Sequence, residues 1–223
     1  MKVKGGKAIY GTSVGILMLE ARFPRIPGDM GNAVTWPFPV HYKVVRGASP
    51  DRVVRQGAPG LLPAFIEAAR ELVADGVDGI TTNCGFLSLM QAELQASVPV
   101  PVATSSLLQV AFVNRLLPAG KRAGILTISG STLTGAHLSA AGVPEGTPVG
   151  STEGGCEFTR AILGNEPELD VEAARPTTSR RRGRWSRRIP TLARWSSNAP
   201  TWCPMRRISG PRLVYRFSRS KVS

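Results

Sequence analysis

The stretch Gly79-Ile-Thr-Thr-Asn-Cys-Gly-Phe86 sets an amide, a thiol and a glycine directly after a short apolar run. What Cys84 can do there depends on where it stands. In an open parallel α/β sheet, ligands bind at the carboxyl ends of the strands, where helix N-termini turn unsatisfied N–H groups into the crevice. A thiol at a helix N-terminus has its pKa drawn from about 8.5 into a range of roughly 3.5 to 7.5, which makes thiolate available near neutrality. Cys84 is therefore a candidate base or nucleophile, and Gly85 leaves room for a substrate to approach. A buried structural cysteine, the commoner fate of a free thiol, fits the same residues equally well.

Presenting such a thiol takes a strand, a sharp turn and a helix, and the chain has that texture up to about residue 165. Short runs rich in Val, Ile and Leu predict strands over 14–19, 40–45, 79–82, 100–103 and 123–128. Between them, Leu61, Leu62, Phe65, Ile66, Ala69, Leu72 and Val73 recur at three- and four-residue spacing, which predicts a helix ending near Asp75-Gly76. Helices are also expected over 86–96 and 106–117, the second with N-cap candidates at Thr104, Ser105 and Ser106. Strands alternating with helices define an α/β fold with a largely parallel sheet. The segment 22–39, rich in proline and glycine, is a long connection after the first strand, and long loops in compact domains tend to be functional or mobile. Glu20, Arg22 and Arg25 sit near its start, placed either to bind an anionic substrate or to lie in a solvated loop.

Three strings along this framework resemble the aspartate/glutamate racemase superfamily: TTNCGF after a strand, PVPVATSSLLQV further on, and KRAGILTISGSTL beyond that. The superfamily is cofactor-independent and includes amino-acid and hydantoin racemases, maleate isomerases and arylmalonate decarboxylases. The resemblance covers most of residues 7–172 and implies a Rossmann- or flavodoxin-like fold in two pseudo-symmetric halves, with the active site in the cleft between them. It implies a small carboxylate or amino-acid substrate, no cofactor and no metal, and it is compatible with a homodimer. Each half is expected to supply one cysteine: a thiolate removes the proton beside a carboxylate, and a thiol returns one from the opposite face. Inversion needs that pair, together with donors to the carboxylate on which charge develops. By resemblance Cys84 is the first cysteine, Asn83 and Ser105 bind substrate, and Thr127 and Thr132 belong to a third polar loop. Ser or Thr after a strand is also a common helix cap.

The second cysteine is expected late, on a strand, and the sequence departs from the pattern there. Cys156 lies too early, in a glycine turn, and Cys203 lies in a stretch of different composition. The formal net charge is +13, yet residues 1–175 are neutral: the last 48 residues hold 13 basic residues, no acid and three of the four tryptophans. The expected organisation is a racemase-like α/β region over 1–175 and a basic, disordered tail over 176–223. An abrupt change to Arg, Ser, Pro and Trp is what a GC-rich gene yields out of frame. Read one base short, the codons for residues from Ala193 onward permit AVVLECTNMVPYA, which resembles the missing cysteine motif. In this form the chain is then expected to be inactive or impaired as a racemase.

The rival reading is a protein that binds nucleic acid through its Arg/Trp-rich tail, since clustered cations bind phosphates and Trp stacks on bases. Such tails usually carry more Lys than the single Lys221 here, so no specific nucleic-acid partner is expected. Cys84, Cys156 and Cys203 are odd in number and widely spaced, and only two His are present, which argues against a disulfide framework or zinc site. No run of 18 apolar residues occurs, so no membrane span is expected. The apolar run 14–19 is too short for a signal peptide, ends in Glu20 and lacks a cleavage site, so a cytoplasmic location is expected.

Overall fold

The computed structural model describes residues 4–155 and 157–175. Cys156, Cys203 and the whole basic segment over 176–223 lie outside the described residues, and with them the expected domain boundary.

Four parallel strands form the main sheet in the order β2-β1-β3-β4: β1 (Val14–Leu19), β2 (Val40–Val45), β3 (Gly79–Thr82) and β4 (Val102–Ala103). β1 is paired on both sides, in register with Val40 and Gly79 at its start and with Val45 at its end, and Ile16 and Leu17 lose all contact with solvent. β4 begins two residues later than the sequence predicts. Pro101 has no N–H to give the ladder; its carbonyl accepts the Ile80 N–H instead. Because every pairing is parallel, the carboxyl ends of all four strands emerge along one edge.

Helix α1 (Pro50–Val54) starts on Ser49, whose hydroxyl accepts the Arg52 N–H at 3.2 Å. Helix α2 (Leu62–Asp75) follows with Phe65, Ala68, Ala69 and Leu72 buried. It can lie close to β1 because Gly15 has no side chain; a Cβ there would stand 2.9 Å from Leu72 Cδ1. Gly76 ends the helix at φ 112°, donating to the Leu72 and Val73 carbonyls, the left-handed stop that glycine supplies at little cost.

The two helices expected over 86–96 and 106–117 each split. A 3-10 turn over Gly85–Met90 leads into α3 (Gln91–Ser97), and one over Ser106–Leu108 leads into α4 (Gln109–Leu116). Tight 3-10 turns are common at helix starts. In the first, Phe86, Leu87, Ser88 and Met90 are all buried, so its side chains cover most of its circumference rather than one stripe.

The chain then forms a second, two-stranded parallel sheet from β5 (Ile125–Thr127) and β6 (Val149–Ser151), with α5 (Gly135–Ala140) between them and α6 (Glu157–Leu163) after. One hydrophobic core runs from Leu17, Phe65 and Leu72 through Ile125 and Ile128 to Phe158 and Ile162, joining both sheets. Among the described residues no helix is long and apolar enough to cross a membrane.

Candidate active site

β3 delivers Thr82, Asn83 and Cys84 to the carboxyl edge of the main sheet, and the backbone there is fixed from both sides. Asn83 N–H donates to the Leu17 carbonyl at 3.2 Å, and Asn83 Oδ1 accepts the Leu19 N–H at 2.9 Å, which ties the ends of β1 and β3 together. Thr82 Oγ1 donates to the Thr104 carbonyl at 2.6 Å and accepts the Cys84 N–H at 3.3 Å. With Oδ1 engaged by backbone, the amide nitrogen is the end of Asn83 left to meet a ligand.

Asn83 and Cys84 line an open pocket at the junction of the two sheets. Its walls are otherwise apolar: Leu19, Phe23 and Phe86 on the side of the main sheet, Ile128 and Ile162 on the side of the second. An apolar lining with few polar groups is typical of a small-molecule site.

The walls govern the thiol. Burial raises the Cys84 pKa to about 11, against smaller opposing effects of a hydrogen bond from the Phe86 N–H and the charge of Arg25. The sequence predicts a lowered value at a helix N-terminus, and the structure corrects that. The element after Cys84 is a short 3-10 turn, and its aligned N–H groups do not offset loss of water around the sulfur. At neutral pH the group is a thiol.

The other sequence-predicted residues lie elsewhere. Ser105 is buried and caps the 3-10 turn Ser106–Leu108, its Oγ accepting the Leu107 N–H at 3.1 Å. Thr127 is fully buried at the end of β5. Thr132 donates to Ser129 Oγ at 2.7 Å on the loop that follows. These three are outside the pocket lining that holds Asn83 and Cys84.

That loop holds a carboxylate that no local pattern marks. Glu153 accepts from Ser129 Oγ at 2.7 Å, from Gly130 N–H at 2.9 Å and from the Ser131 N–H and hydroxyl. Partial burial pushes the carboxyl upward, but the hydrogen bonds from Ser131, Ser129 and Gly130 together outweigh it and hold the pKa at about 2.

The long 22–39 connection is tightly knit. Asn32 Nδ2 donates to the Arg25 carbonyl at 2.7 Å, Thr35 Oγ1 to the Asp29 carbonyl at 2.6 Å, and the Tyr42 hydroxyl to the Met30 carbonyl at 2.8 Å. Arg25 Nη1 pairs at 2.8 Å with Asp29, which is fully buried. Glu20 pairs with Arg46 at 2.8 Å, away from the pocket lining. His41 Nε2 stands 3.5 Å from Asp75, and His137 Nδ1 bonds Thr134 at the start of α5. Among the described residues no three His, Cys, Asp or Glu are grouped as a metal site would require.

No family model matches the chain. It is 30% identical over 122 residues to dimethylsulfoniopropionate lyase 7 of Emiliania huxleyi (strain CCMP1516), a match covering 54% of this chain and 36% of the lyase. It is 27% identical over 132 residues to dimethylsulfoniopropionate lyase of Durusdinium sp. clade D, covering 58% and 44%. The match thus spans roughly a third to under half of these curated relatives. In structure, a glycine-to-cysteine variant of arylmalonate decarboxylase in its sulfate-associated form superimposes with a TM-score of 0.52 at 14% identity, covering 85% of this chain and 89% of that one. That likeness shows the fold: an α/β architecture on a parallel sheet, as the alternation of strands and helices predicts.

Proposed function

We propose that the chain belongs to the aspartate/glutamate racemase superfamily and acts without a cofactor on a carbon acid, with Cys84 removing a proton from the carbon beside a carboxylate. The observation that carries this reading is the placement of Cys84 beside Asn83 at the carboxyl edge of a parallel sheet, inside an apolar pocket. Asn83 supplies a donor for the carboxylate, and the apolar walls keep water from competing for the carbanion's charge. The thiol must first lose its own proton. Positive charge brought by the substrate, on an ammonium or a sulfonium near the acidic carbon, draws the pKa down from about 11 by the same electrostatics through which Arg25 already lowers it.

Among the described residues Cys84 is the one cysteine, so they offer a single base on one face. One base suffices for proton exchange and for elimination. The similarity to dimethylsulfoniopropionate lyases favours elimination. The thiolate takes the α-proton, the freed electron pair becomes the double bond, and the sulfonium carbon–sulfur bond breaks to release a neutral thioether and an unsaturated carboxylate. Two-base inversion needs the second cysteine that the sequence reading places in the altered frame beyond residue 175.

The test is incubation of the whole chain and its Cys84→Ser variant in heavy water. Candidate amino acids and dimethylsulfoniopropionate are followed by NMR for α-deuterium and for thioether release. Turnover by the parent chain and none by the variant is expected. Equal exchange or release by the two proteins removes Cys84 from the mechanism.

A further inference from the structure

Arg25 carries a donor that the fold leaves unused. Its side chain is 13% exposed, and Nη1 is committed to Asp29, whose Oδ1 also accepts the Gly31 N–H at 2.7 Å. Nη2 is buried and has no hydrogen-bond partner among the described residues. A buried, unpaired donor on a charged group is costly, and a guanidinium whose only task was to balance Asp29 would gain by turning both nitrogens onto the carboxylate. Instead one arm of the fork is spent on Asp29 and the other is held away from it.

Arg25 is not itself among the residues that line the pocket, but it is stacked against one that is. Arg25 Cζ lies 4.6 Å from the centre of the Phe23 ring, and Phe23 is a wall of the pocket that contains Asn83 and Cys84. The charge of Arg25 also reaches the Cys84 sulfur, where it favours the thiolate. The loop bonds from Asn32 and Thr35 fix the backbone on both sides of this pair, so the guanidinium is set in place before any ligand arrives.

We propose that Arg25 Nη2 is the anion anchor of the Cys84 pocket: it binds one oxygen of a small carboxylate, entering past the Phe23 ring, so that the carbon next to the carboxylate faces Cys84 Sγ. Arg25 thereby selects carboxylates over neutral isosteres. This rests on the reading of Cys84 as the group that attacks beside a carboxylate.

Two alkylating agents of nearly equal size test it. Iodoacetate carries the carboxylate and iodoacetamide does not; with both, the thiolate attacks the CH2 carbon and iodide leaves. Rates of labelling at Cys84 are measured on the full chain by peptide mass spectrometry at one pH, with reduced glutathione as the unstructured reference. The iodoacetate-to-iodoacetamide ratio at Cys84 is expected to exceed that of glutathione by about tenfold or more, the worth of one charge-assisted hydrogen bond. Arg25→Lys keeps a cation beside Asp29 but removes Nη2, and is expected to bring the ratio close to that of glutathione. A parent ratio no higher than glutathione's overturns the proposal whether or not the variant folds, and so does an unchanged ratio in a folded Arg25→Lys. The heavy-water experiment separates the two readings: Cys84-dependent exchange without a carboxylate preference sinks the anchor alone, and a preference without exchange sinks the reaction alone.

Discussion

Gly31 and Arg25 occupy space that only one side chain can fill. A Cβ built on Gly31 would stand 2.4 Å from Arg25 Cδ, 2.8 Å from Arg25 Nε and 2.5 Å from Met18 Cε. The absent side chain at 31 is what lets the arginine lie along the loop toward Asp29 and Phe23.

Gly31→Ala therefore has a two-part expected outcome. Forcing a methyl into a filled space costs about 1–3 kcal/mol, read as a lower urea midpoint. The displaced guanidinium also loses its alignment, so the iodoacetate preference at Cys84 falls along with stability. A variant that keeps both the midpoint and the preference shows that Arg25 adapts and that the close approach has no role.

Cys84 gives a pH signature. Its folded-state pKa of about 11 lies above the ordinary thiol value of 9.0, because burial disfavours the thiolate. The unfolded chain releases this proton first, so the stability associated with the half-buried thiol is intact below about pH 9 and falls as pH rises from 9 to 11. Iodoacetamide labelling of Cys84 should keep accelerating up to about pH 11, and Cys84→Ser should flatten the alkaline loss of stability. A labelling rate that levels off near pH 7 means the thiol is already ionised and contradicts this pocket.

The framework was legible in the sequence because buried parallel strands and an amphipathic helix leave continuous patterns. Strands 14–19, 40–45 and 79–82 agree with β1, β2 and β3 residue for residue, and α2 ends on the glycine that the sequence marks. β6 left no pattern, since Val149–Ser151 is short and none of its residues is buried. The position of Cys84 after a strand could be read; its raised pKa could not, because the walls that desolvate it come from residues as distant as Phe23 and Ile162. The Arg25–Asp29 pair is local at four residues apart, but the idle Nη2 appears only once the loop is folded. Ser129 and Glu153 lie 24 residues apart and meet only because β5 and β6 pair.

That meeting sets a second pH dependence. The folded pKa of Glu153, about 2, lies below its ordinary value of 4.5, so its stabilisation is fully present above about pH 4.5 and drains away as pH falls toward 2. Glu153→Gln keeps the shape but loses the charge on hydrogen bonds that are partly open to solvent, and should cost about 1–2 kcal/mol at neutral pH. The variant's stability should decline less steeply than the parent's between pH 5 and 2. Parallel decline in the two proteins would show that the carboxylate contributes nothing to the loop.

A frame change just before the basic segment would leave the second sheet short of a strand. Among the described residues the second sheet has two strands, fewer than a sheet needs to be stable by itself, and Phe112 and Leu116 on α4 are 63% and 68% exposed. A continuation in the other frame, with the run AVVLECTN, would bring a further strand and a second cysteine. Restoring that frame is expected to give a protein that sediments as a defined species and inverts its substrate, whereas the sequence as it stands is expected to fold its Cys84 pocket but to self-associate more through apolar surface and unpaired edges. The gene decides the first step: if the codons for residues 193–205 fail to spell the cysteine motif one base out, the reading falls. If they do spell it and both forms nonetheless sediment alike, the frame changed without removing anything the fold depends on.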